Sequence, residues 1–254
     1  ACVYVRPDGS EIVDAVRAHD ADRINCIPGV WQRVFDELDR RSGNDGVLGG
    51  LAFADTGTSA TPVELLERIE AAAPNATIRV FYGSTEAGNV CQLDHADIRR
   101  KPGSCGVPSP LTHIRLDEGE LCVIGPLLFD GYFDDPASTD EALVDGWYRT
   151  GDLAEIDDEG YVSIVGRVKD VIRTGGEWVS PSQVEAVLRG HPGVAGLAVV
   201  GVPDTDWGEV VTVAIVPADP EAPPSLEELL EGRAASLARH KRPRRLAVVD
   251  EIPR

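Results

Sequence analysis

Residues 82–86 read Tyr-Gly-Ser-Thr-Glu and follow an alternating stretch, Thr77 to Tyr82, that has the period of a β-strand. A strand end that opens into a small polar loop offers backbone N–H groups and hydroxyls, which suit phosphate oxygens. Glu86 comes next to Thr85, and a carboxylate there could hold a Mg²⁺ that bridges such oxygens. Taken alone, the five residues are equally an ordinary loop. Further on, Tyr148-Arg149-Thr150-Gly151-Asp152 sits at a turn of a β-type region. An aspartate held by a glycine turn is a good acceptor for two ribose hydroxyls, and an Asx-type turn is the plainer alternative. Arg167 and Lys169 are of the types that meet phosphate or ribose, and Gly175-Gly176 would let a backbone approach a ligand closely. The run His240-Lys241-Arg242-Pro243-Arg244-Arg245 reads as a solvated helix end, or else as a patch facing a phosphate-rich ligand.

Composition narrows the classes. The 254 residues carry 24 Lys+Arg against 43 Asp+Glu, a net charge of −19. That balance speaks against a nucleic-acid binder, which needs a basic face to displace counterions. A hydrophobic share of 43% with 26% charged residues is that of a chain able to bury a core, in one large or two ordinary domains. No apolar run reaches the eighteen or so residues of a membrane span, and no secretory pattern opens the chain, so a cytoplasmic location is expected. The five cysteines contain no CxxC pair, and His95, His113, His191 and His240 lack metal-ligand spacing; free thiols and no metal cluster are expected.

The elements that must position these residues fall into three textures. The first is α/β. A short strand is expected over Ala1–Arg6, helices over Glu11–Ala18 and Val30–Arg40 with a break at Pro28-Gly29, and a helix with Thr61 as N-cap, Pro62 at its first position and Glu64 closing a capping box. From Cys105 to Val165, short β-type runs at 113–116, 120–124, 153–156 and 161–165 alternate with Gly, Asp and Pro turns, as in a small barrel or bent sheet. After Lys169 comes an α+β pattern. A capped helix starts at Ser180, strands cover 194–202 and 210–216, a helix from Ser225 turns Leu226, Leu229, Leu230 and Leu237 inward, and a strand covers 246–249.

In this order the segments resemble the adenylate-forming superfamily, which holds acyl-CoA synthetases, luciferases and the adenylation domains of peptide synthetases. The likeness runs from Ala1 to Arg254 and is most specific at YGSTE (82–86), GELCVIGPLLFDGYF (119–133), residues 146–185 and VDEIPR (249–254). The fatty-acyl-CoA ligase branch is the most similar. The resemblance implies an α/β and α+β fold: part of a large adenylating domain over 1–168, an α/β sheet plus a β-rich subdomain, then a small mobile domain over 169–254. It implies that Thr85 binds ATP phosphate and Glu86 binds Mg²⁺. Tyr82, Gly83 and Ser84 would lie by the adenine and acyl-adenylate, as would the small residues Ser59, Ala60 and Thr61. Asp152 would take the ribose hydroxyls and Arg167 the ribose or phosphate. Lys169 would be the hinge, Gly175 and Gly176 would line the pantetheine channel, and Pro28–Trp31 and Ala87–Val90 would border the acyl pocket. ATP, Mg²⁺, a carboxylic acid and CoA are the implied partners, with room for a homodimer.

Two departures accompany the likeness. The superfamily's Gly/Ser/Thr-rich phosphate loop with its lysine would lie before Ala1, and its C-terminal Gly-Lys after Arg254. The chain thus corresponds to a C-terminal portion, and by itself it is expected to be inactive or nearly so, since both pieces neutralise phosphate charge. Two other readings share the same residues: an acyl- or aryl-AMP ligase that loads a carrier protein, and a non-catalytic nucleotide-binding module.

Overall fold

The computed structural model describes residues 2–41, 46–59 and 61–252. It divides into two compact units, Ala1–Thr150 with Glu155–Ile164, and Gly151–Ala154 with Val165–Arg254.

The first unit opens with helix α1 (Gly9–His19), whose start is fixed by Asp8: its carboxylate accepts the Ser10 and Glu11 N–H groups, which no helical carbonyl can reach. Strands β1 (Arg23–Asn25), β2 (Phe53–Gly57) and β3 (Thr77–Ser84) then alternate with helices α2 (Pro28–Arg40) and α3 (Val63–Ala72). The three strands are parallel, with Asn25 opposite Asp55 and Asp55 opposite Arg79. Parallel neighbours need a crossover, which α2 and α3 supply. Strand β4 (Gly88–Asp94) returns antiparallel to β3, and β5 (Val107–Pro108) completes the order β1-β2-β3-β4-β5.

The core follows from the helical period. On α2, Val30, Trp31, Val34, Phe35 and Leu38 are buried, and they pack with Val13, Leu48, Ile69 and Ile78. Trp31 is 0% exposed and donates its Nε1–H to the Asp55 carbonyl at 3.0 Å, so α2 is tied to β2 by a polar bond as well as by area. The Asp55 side chain, also 0% exposed, is compensated on both sides: Arg23 Nε lies 2.6 Å from Oδ2 and Arg79 Nε 2.8 Å from Oδ1. A carboxylate taken out of water in mid-sheet requires such partners.

A second sheet is built from β6 (His113–Asp117), β7 (Glu120–Ile124), β8 (Leu143–Val144), β9 (Trp147–Ile156) and β10 (Val162–Arg167), with α4 (Pro136–Ala142) before β8. Its order is β10-β9-β7-β6, with β8 on β9.

The second unit contains β11 (Ile172–Thr174), β12 (Glu177–Val179), α5 (Pro181–Leu188), β13 (Val194–Asp204), β14 (Gly208–Pro217), α6 (Leu226–Leu230) and β15 (Arg245–Val248). Its sheet runs β12-β11-β14-β13, with β15 parallel on β14. Val184, Leu188, Val213, Ile215, Leu229 and Leu237 fill its core.

The structure corrects several local expectations. Residues 2–6 form no strand, since alternation without a neighbouring strand makes no ladder, and Tyr4 is exposed. Pro28 does not precede α2 but opens it, where its fixed φ and missing N–H cost nothing. Neither Thr61 nor Ser180 caps its helix by side chain. The Thr61 hydroxyl turns back to the Ser59 carbonyl at 3.4 Å, and the Ser180 hydroxyl donates to the Val165 carbonyl. The segment 148–152 is not a turn. It lies within β9, which continues through Gly151 at φ +71°. The helix from Ser225 stops at Leu230, before Gly232 at φ +70°, and Leu237 reaches the core after a 3₁₀ turn, Ala234–Ser236. Among the described residues no helix is long and apolar enough to cross a membrane.

Candidate functional site

In the first unit, β3 ends at Ser84 and β4 begins at Gly88, so Thr85-Glu86-Ala87 is the turn between them. The turn is tight. A Cβ on Gly83 would lie 1.9 Å from the Gly88 carbonyl oxygen, and the Ala87 N–H donates to Ser84 Oγ at 3.2 Å. Gly83→Ala is therefore expected to destabilise the chain by about 1–3 kcal/mol, the range for forced overpacking. Gly29→Ala is its control: nothing lies within 4 Å of that Cβ and the site is helical, so a gain of up to about 1 kcal/mol is expected. Urea midpoints of the two variants should move in opposite directions; equal shifts would contradict the turn geometry.

Thr85 is exposed at the turn. Glu86 is held at both ends. Its carbonyl accepts the Phe129 N–H at 2.8 Å, and its Oε1 accepts the Tyr132 hydroxyl at 3.0 Å. Burial pushes the Glu86 carboxyl upward, but hydrogen bonds from its own backbone N–H, Ser84, Tyr132 and Tyr148 outweigh this and hold it below the ordinary glutamate value. Tyr148 is buried, and burial above all pushes its hydroxyl up to about 12; a bond from Ser84 opposes this, and the negative charge of Glu86 adds to the rise. The Phe129 ring meets Tyr132 edge-on at 4.9 Å and Tyr148 at 5.7 Å. Glu86 is thus an ionised carboxylate among hydroxyls at neutral pH.

Such a group by itself binds no ion tightly. Among the described residues no cluster of three or more His, Cys, Asp or Glu could hold a metal. A single ionised carboxylate does fit Mg²⁺ that brings its other ligands with it, as waters and substrate phosphates.

The segment after β2 lies against β3. The Thr58 N–H donates to the Phe81 carbonyl at 3.4 Å, and Gly57 packs so closely that a Cβ would sit 2.1 Å from the same oxygen. Ser59 and Thr61 follow β2, whose last residue Gly57 is opposite Phe81 on the strand that carries Tyr82; Ala60 lies outside the described residues. Ala87, in the turn, and Val90, on β4, are buried, and Trp31 belongs to the helix–sheet core.

The second unit holds the remaining expected residues. Asp152 is 8% exposed, and its Oδ1 is 2.9 Å from Arg167 Nε, whose side chain is 55% exposed. Lys169 is exposed on a 3₁₀ turn, Val168–Asp170. Gly175 and Gly176, at φ +59° and +84°, make the two-residue hairpin turn between β11 and β12, a conformation that favours glycine at both positions. The Gly175 N–H donates to the Trp207 carbonyl at 2.9 Å, and a Cβ there would strike the Trp207 ring at 2.8 Å. The basic run is not a free helix end. Lys241 binds Gln183 Oε1 at 2.8 Å, Arg245 pairs with Asp204 at 2.6 Å, and Arg244 stacks over Trp207 at 3.6 Å.

Phe129, Tyr132 and Tyr148 as neighbours of Glu86 were missed from sequence. The aromatic spacing of residues 129–132 was visible, but nothing in it points to a turn more than forty positions earlier.

The chain belongs to the AMP-binding enzyme family, whose model matches residues 1–133, with the AMP-binding enzyme C-terminal domain matching residues 183–254. It is 42% identical to a feruloyl-CoA synthase of Amycolatopsis sp. over 258 residues, covering 97% of this chain and 51% of that protein. A medium/long-chain-fatty-acid–CoA ligase of Mycobacterium tuberculosis is 36% identical over 273 residues, covering 99% and 47%. Among solved structures, the o-succinylbenzoate CoA synthetase of Bacillus subtilis, in complex with its acyl-adenylate intermediate, matches with a TM-score of 0.82 at 27% identity, covering 97% of this chain and 51% of that one. The same enzyme with ATP and magnesium ion matches at 0.80 and 26%, covering 97% and 52%. The chain spans about half the length of the curated relatives it matches.

Proposed function

We propose that this chain supplies the adenosine- and metal-binding residues of an ATP-dependent acyl-CoA synthetase. Glu86 carries the reading: an ionised carboxylate on a strand–turn–strand loop, in a chain that matches the family over both of its segments. Residues 1–168 are read as the end of the large domain and 169–254 as the small mobile one, with Lys169 as pivot.

In the first half-reaction a carboxylate oxygen attacks the α-phosphorus of ATP, forming the acyl-adenylate and releasing pyrophosphate. Thr85 hydrogen-bonds a phosphate oxygen, and Glu86 would hold the Mg²⁺ that offsets phosphate charge. Asp152 accepts the ribose hydroxyls, Arg167 steadies Asp152 and reaches the ribose or phosphate, and Tyr82, Gly83, Ser84, Ser59, Ala60 and Thr61 border the adenine. In the second half-reaction the CoA thiol attacks the acyl carbon and AMP leaves, with Gly175 and Gly176 lining the path of the pantetheine. Positioning and charge neutralisation account for the chemistry, and no covalent enzyme intermediate is needed.

The acid is read as a fatty acid, which the mycobacterial ligase supports; the likeness to a feruloyl-CoA synthase favours an aromatic acid as the second reading. The protein at its full expressed length, given ATP, Mg²⁺, CoA and either palmitic or ferulic acid, should release AMP and one acyl-CoA, read by mass spectrometry. ADP release, or adenylate formed but never passed to CoA, would overturn the reading; the latter would favour a ligase that loads a carrier protein.

A further inference from the structure

The surroundings of Glu86 reach further than the turn that carries it. Residues 129–132 approach from a different part of the first unit and grip Glu86 twice, by the Phe129 N–H on its carbonyl and the Tyr132 hydroxyl on its carboxylate. That segment is itself anchored. The Tyr132 N–H donates to Thr139 Oγ1 at 2.9 Å, and Thr139 Oγ1 donates to the Asp135 carbonyl at 2.8 Å, in the first turns of α4. Gly131, at φ +147°, lets the chain pass α4, because a Cβ there would meet Thr139 Cγ2 at 2.8 Å. The Phe129 ring fills the space between the Tyr132 and Tyr148 rings. A carboxylate on a short turn would otherwise sample several rotamers, and its hydrogen-bonded neighbours decide which one a metal meets.

We infer that Tyr132 is a positioning residue for the metal-holding carboxylate: its hydroxyl, fixed by the anchorage of residues 129–132 on α4, sets the orientation of Glu86. The inference rests on the reading of Glu86 as the Mg²⁺ carboxylate. Tyr132 bonds Glu86 and Tyr148, itself a partner of Glu86, and so acts on the metal through that carboxylate. Tyr148 and Ser84 share the carboxylate, so Tyr132 adjusts metal affinity and does not create it.

The test is a double-mutant cycle on the full-length protein with Mn²⁺ as the probe. Free Mn²⁺ is followed by electron paramagnetic resonance during titration in the presence of a non-hydrolysable ATP analogue. Tyr132→Phe should weaken Mn²⁺ binding about tenfold, the low end for groups that orient metal ligands, with an unchanged melting temperature. Glu86→Gln should weaken it further, and adding Tyr132→Phe to Glu86→Gln should change nothing more. If Tyr132→Phe binds Mn²⁺ like the parent while Glu86→Gln does not, the positioning role is wrong and the reading of Glu86 stands. An equal effect of Tyr132→Phe in both backgrounds also overturns the inference, because Tyr132 then acts elsewhere. Parent-like binding by Glu86→Gln overturns the reading of Glu86 and the inference with it.

Discussion

Replacing Asp152 with alanine is expected to weaken AMP binding by the full-length protein on the order of a hundredfold or more. Its carboxylate would accept two ribose hydroxyls, and a hydrogen bond to a charged group contributes roughly 1.5–3 kcal/mol. Two such bonds at the low end amount to about 3 kcal/mol, or two decades in dissociation constant. The cost to folding should be far smaller. Its partner Arg167 is half exposed, so solvent screens that pair, although the Asp152 carboxylate itself is buried. The variant should therefore melt near the parent while calorimetry with AMP shows the loss. Asp152→Asn, with the same shape and no charge, should fall between. Parent-like AMP affinity in folded Asp152→Ala would remove this residue from the site.

Trp31→Ala should damage the fold more than Gly83→Ala or Asp152→Ala. The side chain is fully buried, and truncating a buried tryptophan costs about 3–5 kcal/mol through lost transfer energy and the cavity left behind. Its Nε1–H bond to the Asp55 carbonyl goes too, but that oxygen keeps the Cys26 N–H at 3.1 Å and is not orphaned. Trp31→Phe should thus cost less than half as much, since the ring area largely remains against Phe35. Urea unfolding of the three proteins measures the difference. A cost below about 1 kcal/mol for alanine would mean that α2 does not seat on β2 through Trp31.

Legibility in the sequence followed length and periodicity. Helix α2 could be read because its apolar residues repeat at helical period, and strands β13 and β14 because β-branched and apolar residues run almost unbroken between turn residues. Helix α4 could not, since it has seven residues and buries none; only Asp135-Pro136, an N-cap followed by proline, marked it. Strand β2 reads Phe-Ala-Asp-Thr-Gly and looks like a polar loop. It is a central strand because Arg23 and Arg79, on its two neighbours, neutralise Asp55, and that pairing exists only once the strands are side by side. Cap chemistry was ambiguous for the same reason. Ser225 and Glu228 form their reciprocal box, whereas the Ser180 hydroxyl is taken by Val165, a partner no local pattern reveals. At the candidate site the loop 82–86 was legible from its composition, and the environment that keeps Glu86 ionised only in part: its own backbone N–H and Ser84 lie within the loop, whereas Tyr132 and Tyr148 come from far along the chain.

The long antiparallel pair of β13 and β14 bears on the route by which the second unit folds. The two strands are consecutive, paired from Val194 with Pro217 to Asp204 with Gly208, and closed by a short turn in which Asp204 Oδ1 accepts the Asp206 and Trp207 N–H groups. Closing so short a loop sacrifices little chain entropy, and each added rung extends a register already set. Strand β15 must instead come back over a far longer stretch of chain to lie parallel to β14, and β11 must join from the other direction in sequence. The hairpin is therefore the natural nucleus, with the flanking strands condensing on it afterwards. The contacts of β15, formed late, would then govern chiefly how fast the unit comes apart rather than how fast it assembles.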